Sequence, residues 1–305
     1  MKFKTFIWLL VLAWLWGPAF LFTKVAVQDI PPLTLVAARL VLAAMLLYLI
    51  LKFQGHSLPK FGPIWKHFWG VGLLYNALPY VLLSWGQQYI DSAPAAILIG
   101  TTPIFTMILA HLFSANDHFT LTKGGGVLLG FAGLAILLAP ELAGGVEATT
   151  WGLLAALGAA ASYGGAVVYT RQKLRGFPPL VGPTAQLTAA AIILLPLSLL
   201  VEQPYNLPLP SWPALGSLVL LAVVSTALAF VVYYRAMETI SATVLSMTTY
   251  IIPIVATILG VVVLSERLDW HVYLGCVFII AGVMVVNDVF RSSGWRQLRS
   301  AVVRP

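Results

Sequence analysis

Apolar residues fill ten stretches of the chain almost without interruption, approximately 5–25, 33–52, 65–90, 94–113, 121–139, 150–171, 179–200, 212–237, 241–263 and 270–290. Each is close to the roughly 20 residues a helix needs to cross hydrocarbon. Polar residues and helix breakers collect between them: Gln28-Asp29-Ile30-Pro31-Pro32, Gln54-Gly55-His56-Ser57, Asp91-Ser92, Asn116-Asp117-His118, Gly144-Gly145, Gly176-Phe177-Pro178-Pro179, Asn206 to Pro213, and Glu266-Arg267. The pattern predicts an all-α membrane protein of ten transmembrane helices.

The pattern also repeats. Trp16-Gly17-Pro18-Ala19-Phe20, Thr23-Lys24 and Pro31-Pro32-Leu33 recur 147 positions on as Tyr163-Gly164-Gly165-Ala166-Val167, Thr170-Arg171 and Pro178-Pro179-Leu180. Farther along, Ile90 matches Ile240, Pro103 matches Pro253, Gly126 matches Gly275 and Gly133 matches Gly282. Repetition at this distance means one unit copied twice. Five spans per copy is an odd number, so the second copy enters the membrane from the opposite side. We expect two inverted five-helix repeats, 1–143 and 148–290, and a basic tail, 291–305. Inverted repeats are typical of secondary transporters, whose solute site lies between the halves near the midplane.

Composition and charge sharpen this. Of 305 residues, 60% are hydrophobic and 9% are charged, against about 25% charged in a soluble domain. The single cysteine, Cys276, allows no intramolecular disulfide. The start, Met1-Lys2-Phe3-Lys4 before an apolar run, resembles a signal peptide. That run, however, holds Trp8, Trp14 and Trp16 with no Ala-x-Ala site, and is read as an uncleaved first span. The net charge of +7 does not point to nucleic acid. With the N-terminus cytoplasmic, all 17 Lys and Arg except Lys24, Arg39 and Arg267 fall in inner loops or the tail, which predicts N-in and C-in by the positive-inside rule.

The segment Leu15-Trp16-Gly17 through Lys24, Pro31-Pro32-Leu33 and Ala37-Ala38-Arg39 resembles the first span pair of EamA-type proteins of the drug/metabolite transporter superfamily. So do Ala95 through Thr102-Pro103 into Gly130 and Gly133, and the second copy, Ser241 through Pro253, Ser265-Glu266-Arg267-Leu268 and Gly282. The resemblance covers nearly the whole chain. It implies a ten-helix transporter with a central cavity lined mainly by helices 1, 3, 4, 6, 8 and 9, with helices 5 and 10 peripheral. It also implies a bacterial inner membrane and export. Asn116-Asp117-His118 departs from the Glu-Arg pair usual at that point.

Candidate chemistry follows from polar residues in apolar spans. Asn76, Tyr80, Ser84 and Gln87 share one face of the third span at helical spacing, and a polar stripe in hydrocarbon needs protein or water against it. Thr101, and Ser246 with Tyr250, mark similar faces on the fourth and ninth. Trp16, Tyr163 and Tyr233 join them as aromatics at the expected cavity; Trp16, Tyr80, Tyr163 and Tyr250 lie too deep for an interfacial belt and suit an organic solute with an apolar or cationic part. Pro103 and Pro253 each remove a backbone donor at mid-span; with Gly17 and Gly164 they are candidate hinges, static kinks and close packing being the alternatives. Arg39 is the one clear intramembrane charge, a candidate contact for a solute carboxylate unless it snorkels outward.

All ten acidic residues lie at span ends or in loops. No cofactor is expected: there is no nucleotide-binding loop, no His/Cys metal spacing and no nucleophile elbow. The expected function is therefore a secondary transporter moving a small organic metabolite, such as an amino acid, by alternating access, and not an enzyme. An intramembrane enzyme or a lipid- or nucleotide-sugar-handling protein is the alternative. Monomer and homodimer both stay open.

Overall fold

The computed structural model describes residues 3–113, 121–143, 147–174, 176–240, 245 and 247–286, and these form helices and short loops with no strand among them. We number ten spans. They are α1 (Phe3–Trp16 and Pro18–Ala26), α2 (Pro32–Phe53), α3 (Trp65–Val71, Gly72–Ala77 and Leu78–Gly86), α4 (Ser92–Ile99 and Thr102–Phe113), α5 (Leu121–Ala143) and α6 (Ala148–Lys173). Then follow α7 (Val181–Val201), α8 (Trp212–Ala222, Val223–Leu228 and Ala229–Met237), α9 (Thr248–Val263) and α10 (Trp270–Val286). Six helical runs are long and apolar enough to cross a membrane on their own. Large apolar side chains such as Leu200, Val262, Val277 and Met45 face outward from the bundle. In water that surface would drive aggregation; in lipid it is at home. The chain is an integral membrane protein.

Packing follows the duplication. The pairs α5–α10 and α2–α7 each join a span to its own counterpart. The contact of α3 with α6 is matched by α8 with α1, and that of α4 with α6 by α9 with α1. Glycines set the crossings. A Cβ on Gly17 of α1 would lie 2.6 Å from Val255 of α9, and one on Gly164 of α6 would lie 2.9 Å from the Phe105 side chain of α4. Gly17 and Gly164 are repeat partners, as are Phe105 and Val255, so one close approach is made twice. At α5–α10, Gly126 meets the Gly282 carbonyl and Gly133 meets the Gly275 carbonyl. The repeat exchanges these two pairs, so that crossing is its own counterpart.

Four spans are not plain α-helices, and local chemistry explains most of this. α1 breaks at Gly17, next to Pro18, which has no N–H to continue the ladder. α4 breaks at Gly100-Thr101, just before Pro103. Pro103 cannot donate to the Ile99 carbonyl, and the Thr102 hydroxyl donates to it instead, at 2.7 Å. α3 and α8 each contain a π turn, Gly72–Ala77 and Val223–Leu228, at corresponding places in the two copies. In α3 the turn precedes Pro79; in α8 there is no proline, and the Thr226 hydroxyl donates to the Leu221 carbonyl at 2.8 Å.

Carboxylates tie the halves at one end of the bundle. Glu202, after α7, accepts from the backbone N–H groups of Leu33 and Thr34 at 2.9 and 2.7 Å, at the start of α2. Glu266, after α9, accepts from Ser92 and Ala93 N–H at the start of α4. Ser265, in left-handed backbone at φ 57°, directly precedes it. Asp29 accepts from Ser211 N–H, ahead of α8, at 3.0 Å. Helix N-termini favour negative charge, so all three contacts are charge-assisted. The hydrogen bonds from Ser211 hold the Asp29 carboxyl below the ordinary Asp value. In the same layer Lys24 pairs with Asp91 at 3.3 Å and donates to the Ile90 carbonyl.

Candidate functional site

Arg39 lies on the eighth residue of α2, about 10 Å from its start at 1.5 Å per residue. The side chain is 7% exposed. Its Nε donates to the Thr226 hydroxyl of α8 at 2.9 Å, and its guanidinium carbon sits 3.9 Å from the centre of the Tyr80 ring of α3. Tyr80 in turn meets Tyr163 of α6 with ring centres 6.4 Å apart, and Tyr163 meets Tyr75 edge-on at 5.2 Å. One buried cation, three tyrosines and a threonine from four spans and both copies thus form one cluster. It sits within a packed core of Val36, Ala37, Leu40, Leu187 and Phe230.

The π turns explain why these groups meet. A π turn inserts an extra residue and redirects the side chains that follow. In α8 it turns Thr226 onto Arg39. In α3 the matching turn carries Asn76, the repeat counterpart of Thr226 at the spacing that pairs Pro103 with Pro253. Asn76 is fully buried, and neither its amide nitrogen nor its oxygen has a partner among the described residues.

The other candidates divide into several groups. Trp16 of α1 meets Tyr233 of α8 with ring centres 5.6 Å apart and planes tilted by 50°, and Tyr233 packs edge-on against Tyr234. Gln87 is buried and donates to the Phe20 carbonyl at 2.8 Å; Thr101 donates to the Leu98 carbonyl at 2.6 Å. Both side chains are thus occupied by backbone carbonyls, that of Leu98 also accepting from the Thr101 N–H. Ser84 is buried on α3. Tyr250 of α9 lies 3.4 Å from the Val283 carbonyl of α10, away from the arginine cluster. Pro253 packs against the Gly100 break of α4, and Pro103 follows that break. Gly17 sits at the break in α1, whereas Gly164 lies inside the unbroken α6. Ser246 lies outside the described residues, as do Asp117, His118 and the tail. Arg39 does not snorkel: it is buried among protein groups. Thr226 was not a sequence candidate, since only Ser225 accompanies it in an apolar run; its signal was its repeat match to Asn76.

A hollow of about 380 Å³ opens at the end opposite the carboxylate ties. It is lined by Gln54, His56, Pro179, Leu180, Val231, Tyr234, Arg235 and Glu238. Leu180, Val231 and Tyr234 also pack against the core that holds Tyr80. At the tied end a smaller hollow of about 180 Å³ lies beside Asp91, Arg267 and Asp269. No group of three or more metal-ligating side chains occurs among the described residues.

Comparison with known proteins agrees with this architecture. The chain is 29% identical over 278 residues to the uncharacterized transporter YoaV of Bacillus subtilis, covering 90% of this chain and 94% of that one. It is 25% identical over 274 residues to the uncharacterized inner membrane transporter YedA of Escherichia coli, covering 90% and 87%. Protein PecM of Dickeya dadantii is 24% identical over 279 residues, covering 90% and 89%. A solved crystal structure, 21% identical, superposes with a TM-score of 0.66 over 96% of this chain and all of that one, and so shares the fold. The profile of the EamA-like transporter family matches twice, at residues 3–139 and 150–288. Ten helices in two inverted copies, each fitting that profile, make this chain a member of the EamA-like transporter family of the drug/metabolite transporter superfamily, and a membrane transporter.

Proposed function

We propose that the protein is a secondary transporter that carries a small organic solute through the membrane by alternating access. The halves 1–143 and 148–290 are the units that rock against each other, and 291–305 is a cytoplasmic tail. The chain runs N-in and C-in in a bacterial inner membrane and works in export; its Lys and Arg distribution favours that orientation. The observation that carries this reading is the shared origin of the mid-depth cluster. Arg39 and Tyr80 come from the first half, Tyr163 and Thr226 from the second. A solute held there touches both moving units, as alternating access requires. The aromatic walls suit an organic solute. Trp16 and Tyr233 extend the lining, and Gly17, Pro103 and Pro253 supply the bends.

The test is flux in proteoliposomes. A panel of amino acids, nucleosides and amines is offered with and without a pH gradient, against protein-free vesicles. Saturable flux of at least one class is expected, and Tyr80→Ala should lower it roughly ten-fold while the protein still folds. Flux indistinguishable from protein-free vesicles across the panel rules the reading out.

A further inference from the structure

Among the described residues Arg39 is a buried cation without a counter-ion. Among the described residues its only polar partner is the Thr226 hydroxyl, a neutral group, and its only other charge-stabilising contact is the Tyr80 ring. The one ion pair among them is Lys24–Asp91, elsewhere in the fold. Among the described residues the carboxylates of Asp29, Asp91, Glu147, Glu202, Glu238, Glu266 and Asp269 all fall at span ends or in loops. A buried guanidinium left in this state is costly, since neither hydroxyl nor ring matches the hydration it gave up.

The geometry also leaves one edge of the guanidinium unused. Stacking on Tyr80 covers a face, and Thr226 takes Nε. The two terminal nitrogens, which form the edge suited to a two-oxygen acceptor, make no hydrogen bond within the described protein. Tyr80 under the guanidinium, Tyr163 against Tyr80 and Tyr75 against Tyr163 carry hydroxyls that make no hydrogen bond among the described residues either. Four neighbouring side chains thus have donors to offer, and none of them offers a negative charge.

Resting on the transporter reading above, we propose that Arg39 selects the solute by charge: it receives a carboxylate on its terminal nitrogens, so the carried molecule is an organic acid or a carboxylate-bearing zwitterion. The tyrosine hydroxyls donate to the same group, and the rings hold the organic remainder. Thr226 positions the guanidinium by fixing Nε. Arg39 could instead be a purely structural strut joining α2 to α8, but a strut would have no preference among solutes of different charge.

That difference is the test. Three probes of one shape are used on the full-length protein: 3-phenylpropionate, 3-phenylpropan-1-ol and 3-phenylpropylamine, read by the shift in melting temperature in detergent and by flux in proteoliposomes. The acid is expected to bind at least ten-fold more tightly than the alcohol, and the amine more weakly than either. Arg39→Gln should erase the advantage of the acid over the alcohol; Arg39→Lys should keep the order and lower the affinity. Should Arg39→Gln fail to fold, the wild-type ranking and Thr226→Val, expected to weaken the acid alone, still decide. Equal responses to acid and alcohol, including none to either, overturn the proposal, as does a preference for the amine. An acid bound through Arg39 but never carried would uphold the site and remove the transport reading. Carriage of the amine or alcohol in preference would do the reverse.

Discussion

A single buried carboxamide illustrates how the two copies have diverged. Thr226 and Asn76 are repeat counterparts within the two π turns, yet Thr226 holds Arg39 while Asn76 has no partner for either polar atom among the described residues. An unmet buried group costs about 1–3 kcal/mol. Replacing Asn76 by Leu, which keeps the same branched heavy-atom skeleton, is expected to raise stability by about 1 kcal/mol, visible as a higher melting temperature in detergent; an unchanged or lower value would mean that the carboxamide is satisfied. At this scale the sequence was legible only in part. Asn76, Tyr80, Ser84 and Gln87 were placed on one face by assuming uniform α-helical spacing. The π turn before Pro79 breaks that uniformity, so Asn76 is sealed in, Tyr80 meets Arg39 and Gln87 reaches Phe20. Proline in an apolar run was the available warning. For Thr226 the signal was only its repeat match to Asn76, because a threonine in hydrocarbon commonly bonds its own helix, as this one also does at the Leu221 carbonyl.

Elements were far easier to read, since ten apolar runs separated by breakers leave little freedom in lipid. The places where spans bend were also marked by chemistry: Gly17 before Pro18, and Gly100 ahead of Pro103. Less visible was which glycines are contact points between spans. Gly164 stands in an unbroken helix, and its missing side chain admits Phe105 and the Thr106 backbone. Gly17 does the same for Val255. Adding a methyl at either crossing forces two helices apart, so Gly17→Ala and Gly164→Ala should each lower stability by about 1–3 kcal/mol. Gly125 and Gly216 have open space where a Cβ would go, and Ala there should be nearly neutral in the same melting experiment. Equal effects at all four positions would show that propensity and not crossing geometry dominates.

Taken as a whole, the molecule is tied at one end and indented at the other. Glu202, Glu266 and Asp29 each reach from one half to a helix start in the other, whereas the opposite end carries the hollow beside Gln54, His56 and Arg235. Separating the tied end breaks the hydrogen bonds that Glu202 and Glu266 accept, about 1.5–3 kcal/mol each. The double variant Glu202→Gln with Glu266→Gln should therefore favour opening at that end by about ten-fold or more. A cysteine at Trp16→Cys, with Cys276→Ser, would report this as faster reaction with an impermeant maleimide added from that side; an unchanged rate would show that the ties do not limit opening. Acid should act in the same direction through Asp29. Its folded pKa is depressed, so its contribution is present above the ordinary value of 3.8 and fades as pH falls through the lower folded value. The sequence showed the duplication and hence the symmetry of this frame, but not the ties, because a carboxylate in a loop does not reveal which distant amide it faces. The crossing of α5 and α10, where Gly126 meets Gly282 and Gly133 meets Gly275, lies on the molecule's own pseudo-axis. The repeat equivalents of Gly126 and Gly133, Gly275 and Gly282, lie in the same seam, so drift in either copy is felt at once by both, and this seam should diverge last as related carriers acquire new cargoes.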